Sequence, residues 1–504
     1  MFCKLNSYSL NGIDAIPIEV EIDINDGLPG FDIVGLPDSS VKEARERVRS
    51  AIKNSGFKFP IRRITVNLAP ADIKKEGSLY DLPIALGILC CSGELPLESL
   101  RQTLFIGELA LDGSLRSVRG LLPLLCTLPS TEHTTCVIPT SNAREASLIQ
   151  GINIRLAHNL SEVIAFIHHQ SYLTQCAPTT SPPAPPKILD FADVKGQESV
   201  KRGLIICASG FHNALLMGPP GSGKTMLAKR LISILPPLTE SECIDLTKLY
   251  SLADKLPNHT IMHTRPFRAP HHTITTLGLA DGGHHPKPGE ISLAHLGVLF
   301  LDELLEFNRH TLEVLRQPLE EHQITLSRAN ITLTYPADFL LIASTNPCPC
   351  GYYPNTQKCS CSLNSVKKYM SKLSGPLLDR IDLQLETKSP TLTDLNSVNS
   401  LSSEEMYAQV QKAINYQKER FSGTSLHYNS QIPTCDLKKY CQLTKEAKTM
   451  LDKWFTTSSS SVRSYDKILR IARTIADLSD SITIDTIHIA EAIQYRLLDH
   501  NLWH

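Results

Sequence analysis

The stretch NALLMGPPGSGKTMLAKRLISIL, residues 213–235, constrains the fold more than any other part of the chain. An apolar run suited to a buried strand leads into a Gly-rich turn, and an amphipathic helical pattern follows, so the segment opens a parallel α/β sheet. Gly218, Gly223, Lys224 and Thr225 occupy the fixed positions of G-x-x-x-x-G-K-[ST], the phosphate-binding loop. The run Gly218, Pro219, Pro220, Gly221, Ser222, Gly223, Lys224 and Thr225 is therefore the candidate cradle for ATP. Backbone N–H groups around Gly221 to Gly223 would hold phosphate oxygens, Lys224 would neutralise the β and γ phosphates, and Thr225 would ligate magnesium.

Two further apolar strands are expected in the same unit, GVLFLDE (297–303) and FLLIASTN (339–346). Asp302 and Glu303 end the first, 78 residues after Lys224, at the sheet edge where α/β proteins take ligands. Asp302 suits the magnesium shell and Glu303 suits polarising the attacking water. Asn346 ends the next strand and can orient the same water; as a turn residue before Pro347 it has a plain structural reading too. Arg380, in SGPLLDRIDL, reads either as an arginine finger reaching a neighbour's nucleotide or as an intrachain partner of Asp379 or Asp382.

Length and composition agree with several packed domains. The 504 residues are 42% hydrophobic and 20% charged, with 32 Pro and 26 Gly, which excludes one small module and a disordered or fibrous chain. Lys and Arg total 50 against 51 Asp and Glu, so binding to a polyanion would rest on local patches. The longest apolar run, Leu82 to Cys91, is far too short to span a bilayer, and the N-terminus has no signal-peptide core. A soluble cytoplasmic protein without membrane partners is expected.

CAPTTSPPAPPK (176–187) has no helix or strand period and reads as an extended linker. The division is then an N-terminal α/β domain at 1–172, a Pro-rich linker at 173–188, an ATPase core at 189–394 and a helical C-terminal domain at 395–504. In the first domain, strands are expected at 16–24, 31–36 and 63–70, a capped helix at 38–56, and a hairpin turning at Asp112-Gly113 within 104–118.

Cys348, Cys350, Cys359 and Cys361 form two C-x-C pairs with aromatics between them. Four thiolates at such spacing can close a tetrahedral zinc site; reduced thiols or a redox-labile loop are the other readings. Lys367 and Lys368 follow closely and are candidate DNA contacts. HQITLSRANITLTYP (322–336) alternates as a hairpin, with Ile324 and Leu326 on one arm, Ile331 and Leu333 on the other, and Ser327, Arg328, Ala329 and Asn330 at the tip. Residues 265–290 make a His-, Gly- and Pro-rich insertion in which His271 and His272 can face a pore or the nucleotide. Eight basic residues between Val41 and Arg63 form a patch, readable as a nucleic-acid surface or as a solvated helix face.

Taken together, these motifs resemble an AAA+ ATPase. The strings DFADVKGQ, FRAPHHT, PKPGEISLAHLGVLFLDEL, NPCPCGYYP and SGPLLDRIDL are similar to the ComM/YifB family of magnesium-chelatase-like ATPases over nearly the whole chain. The resemblance implies an AAA+ P-loop α/β core with a hairpin before the Asn346 strand, a helical lid, and a Lon-protease-like N-terminal domain. It implies Arg463 as the lid's sensor arginine, with Arg470 as fallback, and Arg328 as a pore contact to a DNA phosphate. It also implies a homo-hexameric ring acting on single-stranded or branched DNA, together with recombinase proteins, in branch migration during homologous recombination and natural transformation. A protein-remodelling ATPase, such as a metal-chelatase motor subunit or MoxR-like chaperone, is the rival. The chain has DELLEF where Pro usually follows DEL, and LGLADGG where a Gly triplet is usual. In the N-terminal domain Ile84 and Leu122 stand where a Lon-type protease carries its Ser and Lys, so no peptidase activity is expected, and Ser78 with Lys75 offers little rescue.

Overall fold

A computed structural model of the 504-residue chain describes all residues except 12, 76, 129–134, 150, 178–188, 257–260, 281–287, 329–330, 356, 390, 392–399, 459–460 and 497–504. Most of the expected linker therefore lies outside the described residues. The chain forms two compact units, one of Met1–Ala184 with Cys243–Met262 and one of Pro185–Glu242 with His263–His504. Among the described residues no helix is long and apolar enough to cross a membrane.

In the first unit, strands Phe2–Asn11, Asp14–Asn25 and Arg63–Ala69 pair antiparallel in succession, and Gly30–Val34 adds parallel to the last. Alternate residues Val20, Ile22, Ile24, Ile64, Val66 and Leu68 are buried, the period of two expected of a sheet with one covered face. Helix Ser39–Asn54 starts where the Asp38 carboxylate accepts from Val41 N at 2.7 Å, a cap contributing about 1 kcal/mol. Gly56, at φ 87°, follows its end. Helix Asp81–Cys91 is apolar on every side and almost wholly buried, as an interior helix must be. A second sheet pairs Thr103–Phe105, Thr135–Pro139 and Asn153–Ala157 in parallel, with Thr174–Gln175 antiparallel at its edge. The expected hairpin is shorter than the sequence suggests: only Glu108–Leu109 and Leu115–Arg116 pair around Gly113, because Thr103–Phe105 is recruited by Thr135–Pro139.

The second unit is built on five parallel strands in the order Phe267–Arg268, Val298–Leu301, Leu340–Thr345, Ala214–Met217, Leu383–Glu386. The P-loop strand thus sits inside the sheet, between the strand carrying Asn346 and the one leading to Thr387. Every residue of Ala214–Met217, Val298–Leu301 and Leu340–Thr345 is buried, as a parallel sheet covered on both faces requires. Helix Glu198–Gly210 packs on Leu383–Glu386, where Gly203 leaves room for Leu385.

C-terminal helices Ser403–Arg420, Lys445–Ser458, Val462–Leu478 and Thr486–Gln494 share one hydrophobic core with this sheet, joining Ile468, Ile471 and Ile475 to Leu383 and Leu385. Inside it the buried Asp477 carboxylate accepts from both Arg420 and Arg473 and, at 2.8 Å, from Asn429 Nδ2. Such a charge is tolerated in a core only when paired on this scale.

Candidate nucleotide site

The P-loop leaves the end of strand Ala214–Met217 and turns through Gly221 at φ 77° and Gly223 at φ 88°, backbone conformations that strain other residues. At Gly218 the constraint is space: a Cβ there would lie 2.1 Å from Thr387 Oγ1 and 2.3 Å from Thr387 O. Thr387 also exchanges a 2.7 Å hydrogen bond with Ser222 Oγ, fastening the loop to the neighbouring strand's exit. Lys224 Nζ folds back under the loop, donating to Gly218 O at 2.7 Å, Pro219 O at 3.0 Å and Asn346 Oδ1 at 3.1 Å. Burial holds the Lys224 ammonium below the usual lysine range, against the opposing pull of the Asp302 and Glu303 charges.

Thr225 Oγ1 donates to Asp302 Oδ2 at 2.8 Å, and Ser344 Oγ donates to the other carboxylate oxygen. Glu303 follows in the left-handed region at φ 53°, a strained backbone that turns its side chain out of the buried strand. Its N–H donates to Ser344 Oγ at 3.3 Å, and its Oε2 lies 3.6 Å from His272 Nδ1. The His272 ring packs on His271, centroids 4.1 Å apart. His272 thus lies beside the Glu303 carboxylate.

This donor set fits a magnesium nucleotide. A half-buried ammonium is held by three neutral oxygens, a hydroxyl and a carboxylate stand in contact, and a Cβ built on Gly221 or Gly223 meets open space.

The sequence comparisons bear on the same residues. Residues 190–395 match the family described as magnesium chelatase, subunit ChlI. Residues 20–142 match subunit ChlI of Mg-chelatase, and 400–496 match the ChlI C-terminal family. The chain is 42% identical over 495 residues to Competence protein ComM of Haemophilus influenzae, covering 97% of this chain and 96% of that protein. It is 43% identical over 494 residues to the uncharacterized protein YifB of Salmonella typhimurium, covering 98% and 96%. The chain belongs to the ComM/YifB family of magnesium-chelatase-like AAA+ ATPases. The magnesium-chelatase 38 kDa subunit of Rhodobacter capsulatus is a more distant relative, 24% identical over 223 residues, 40% of this chain and 57% of that protein.

In this ComM/YifB chain the arginines stand apart from the P-loop. Arg380 is buried, donating from Nη1 to Pro376 O at 2.5 Å and from Nη2 to Glu320. Its acidic partner is therefore Glu320, 60 residues away in sequence, rather than Asp379 or Asp382. Asp382 instead pairs with Lys467 at 2.8 Å. Arg463 is exposed and lies 3.6 Å from the same Glu320 oxygen. Both arginines line a cavity of about 440 Å³ with Glu320 and Arg470, and no P-loop residue contributes to it. Arg470 Nε is committed to Ile432 O at 2.8 Å.

Cys348, Cys350, Cys359 and Cys361 converge, their sulfur atoms all within 4.8 Å of one another. Lys367 and Lys368 are exposed on helix Leu363–Met370, directly after them. The expected hairpin forms as Gln323–Arg328 paired with Ile331–Pro336, with Leu326 opposite Leu333; of the expected tip, Ser327 and Arg328 belong to the first strand, while Ala329 and Asn330 lie outside the described residues, as do His284 and His285 in the insertion.

In the first unit, Ile84 and Leu122 are buried core residues. Lys75 Nζ donates to Pro70 O while Ser78 Oγ donates to Glu108, so each has its own partner. The basic patch is partly spent: Arg47 holds buried Asp81 through two bonds of 2.6 and 3.0 Å, and Arg49 lies over the Phe59 ring. Burial nonetheless pushes the Asp81 carboxyl up to about 6, the Arg47 bonds opposing it. Sequence reading missed Glu320 and Thr387. Neither sits in a phosphate motif, and each acquires its place through long-range packing.

Proposed function

We propose that the chain is an ATP-driven DNA motor that assembles as a homo-hexameric ring and promotes branch migration in homologous recombination, in the integration of DNA during natural transformation. The observation that carries the ATPase half is the joining of Lys224 to Asn346 and of Thr225 to Asp302, which gathers three separate motifs at one sheet edge. Thr225 and Asp302 would hold magnesium, which supplies charge neutralisation for the phosphates when bound. Glu303, free of the sheet, would take a proton from the attacking water, with Asn346 orienting that water and Lys224 receiving the phosphate charge.

The DNA half rests on kinship with a protein named Competence protein ComM, on the hairpin ending at Arg328 and on Lys367 and Lys368. Arg380 would reach a neighbouring subunit's nucleotide, and the cavity it shares with Arg463 away from its own P-loop supports that direction. Residues 1–172 would form a non-catalytic Lon-protease-like domain, 189–394 the AAA+ core and 395–504 the lid, acting in the cytoplasm with recombinase proteins.

Likeness to magnesium-chelatase subunits keeps a protein-remodelling motor as the rival reading. ATPase assays with and without single-stranded or branched DNA separate the two. A DNA motor shows DNA-stimulated turnover that falls steeply with salt, because phosphate contacts release counterions. Turnover indifferent to DNA at every salt concentration would reject the motor.

A further inference from the structure

The four-cysteine cluster sits against the nucleotide site. Strand Leu340–Thr345 delivers Asn346, whose Oδ1 accepts from Lys224, and two residues later the buried Cys348 begins the turn that carries Cys350 and Gly351. Gly351, at φ 86°, rests its backbone on the P-loop: a Cβ there would sit 2.6 Å from Pro220 Cδ. The turn thus has Asn346 at one end and Pro220 under the other.

The sulfur geometry is that of a metal site. Cys348 Sγ lies 3.3 Å from Cys350 Sγ and 3.8 Å from Cys359 Sγ, and Cys350 to Cys359 is 3.5 Å. A tetrahedron with Zn–S bonds of about 2.3 Å has edges of about 3.8 Å, whereas a disulfide needs about 2.05 Å. All four are free thiols. Gly351 N and Tyr353 N donate to Cys348 Sγ at 3.2 and 3.4 Å, so the turn's own backbone holds this sulfur in place. Four sulfur ligands with no position left for water describe a closed structural site.

We propose that Cys348, Cys350, Cys359 and Cys361 bind a structural zinc ion that clamps the Cys348–Gly351 turn between Asn346 and Pro220, so that nucleotide affinity depends on the metal. Its second half rests on the ATP-site reading above; the metal content does not. Binding releases the thiol protons to solvent and changes no oxidation state, so no redox partner is required.

The test uses the full-length chain purified under reducing conditions without a metal-binding tag. Emission spectrometry should find about one zinc per chain, lost in Cys350→Ser and Cys361→Ser and retained in Cys435→Ser, an exposed cysteine elsewhere. Cobalt exchanged into the site should give the intense visible bands of tetrahedral thiolate coordination. Titration with a fluorescent ATP analogue should then show affinity weakened about fivefold or more in the zinc-free variants, with far-UV circular dichroism unchanged. Chelator extraction of the wild-type chain, reversed by added zinc, gives the same comparison without a substitution. Wild-type protein lacking zinc, with the four cysteines reduced or as disulfides, overturns the metal site. Unchanged ATP affinity after zinc loss overturns the clamp. A zinc-loaded wild-type chain that binds no ATP counts against the nucleotide reading and against the clamp, and leaves the metal site standing.

Discussion

His272 Nδ1 lies 3.6 Å from Glu303 Oε2, at ion-pair rather than hydrogen-bond distance, and His271 backs its ring. The imidazole can therefore fix the direction of the one site carboxylate that no strand hydrogen bond holds. Replacing His272 by Ala should lower kcat for ATP hydrolysis about threefold to tenfold with KM changed less than about twofold. Glu303→Gln, which removes the base itself, should cost about 100-fold or more. Steady-state kinetics on both variants checks this, and an unaltered kcat in His272→Ala would remove the histidine from the account.

Lys224 titrates in a range set by burial, below that of an ordinary lysine. Phosphate favours its charged form, so ATP binding raises the pKa and takes up a proton wherever the free protein has lost one. Affinity is then level while Lys224 is charged in the free protein. It falls by up to about tenfold per pH unit from the lowered free-state pKa to the raised bound-state one. Lys224→Arg, charged throughout, should flatten the profile. Binding isotherms across the alkaline range read the slope directly.

The P-loop and its partners were legible because their chemistry is local: GPPGSGKT, the LDE ending a four-residue apolar strand, and Asn346 after another each announce themselves within a few residues. The four cysteines were legible for the same reason. What the sequence hid was long-range. Arg380 has acidic neighbours on both sides in sequence, yet the fold gives it Glu320 and gives Asp382 to Lys467. The edge strand Phe2–Asn11 also escaped, since its apolar alternation is broken by Ser7 and Ser9 on the buried face and by Phe2 on the open one.

Gly218 gives a steric prediction independent of mechanism. Its Cβ would collide with Thr387 backbone and side chain, so Gly218→Ala should destabilise the unit by about 1–3 kcal/mol and abolish nucleotide binding. Gly375, with nothing within 4 Å of its Cβ position, should accept Ala with little change. Thermal unfolding of the two variants makes the comparison.

Arg380 gives an assembly prediction. Lys224→Ala and Arg380→Ala chains should each be inactive, and mixing them should restore part of the ATPase activity, because some interfaces then pair an intact P-loop with an intact arginine. Activity absent at every mixing ratio, with both variants still assembling, would place Arg380 in its own subunit's structure, held by Glu320.

The most direct test of the central claim is ATP-dependent branch migration on synthetic three- and four-strand DNA junctions, comparing the native chain with Lys224→Ala and Glu303→Gln. The account predicts that the native protein moves the junctions while both variants bind the same DNA and leave them in place. ATP turnover by the native protein with no junction movement would contradict it and turn attention to a protein substrate.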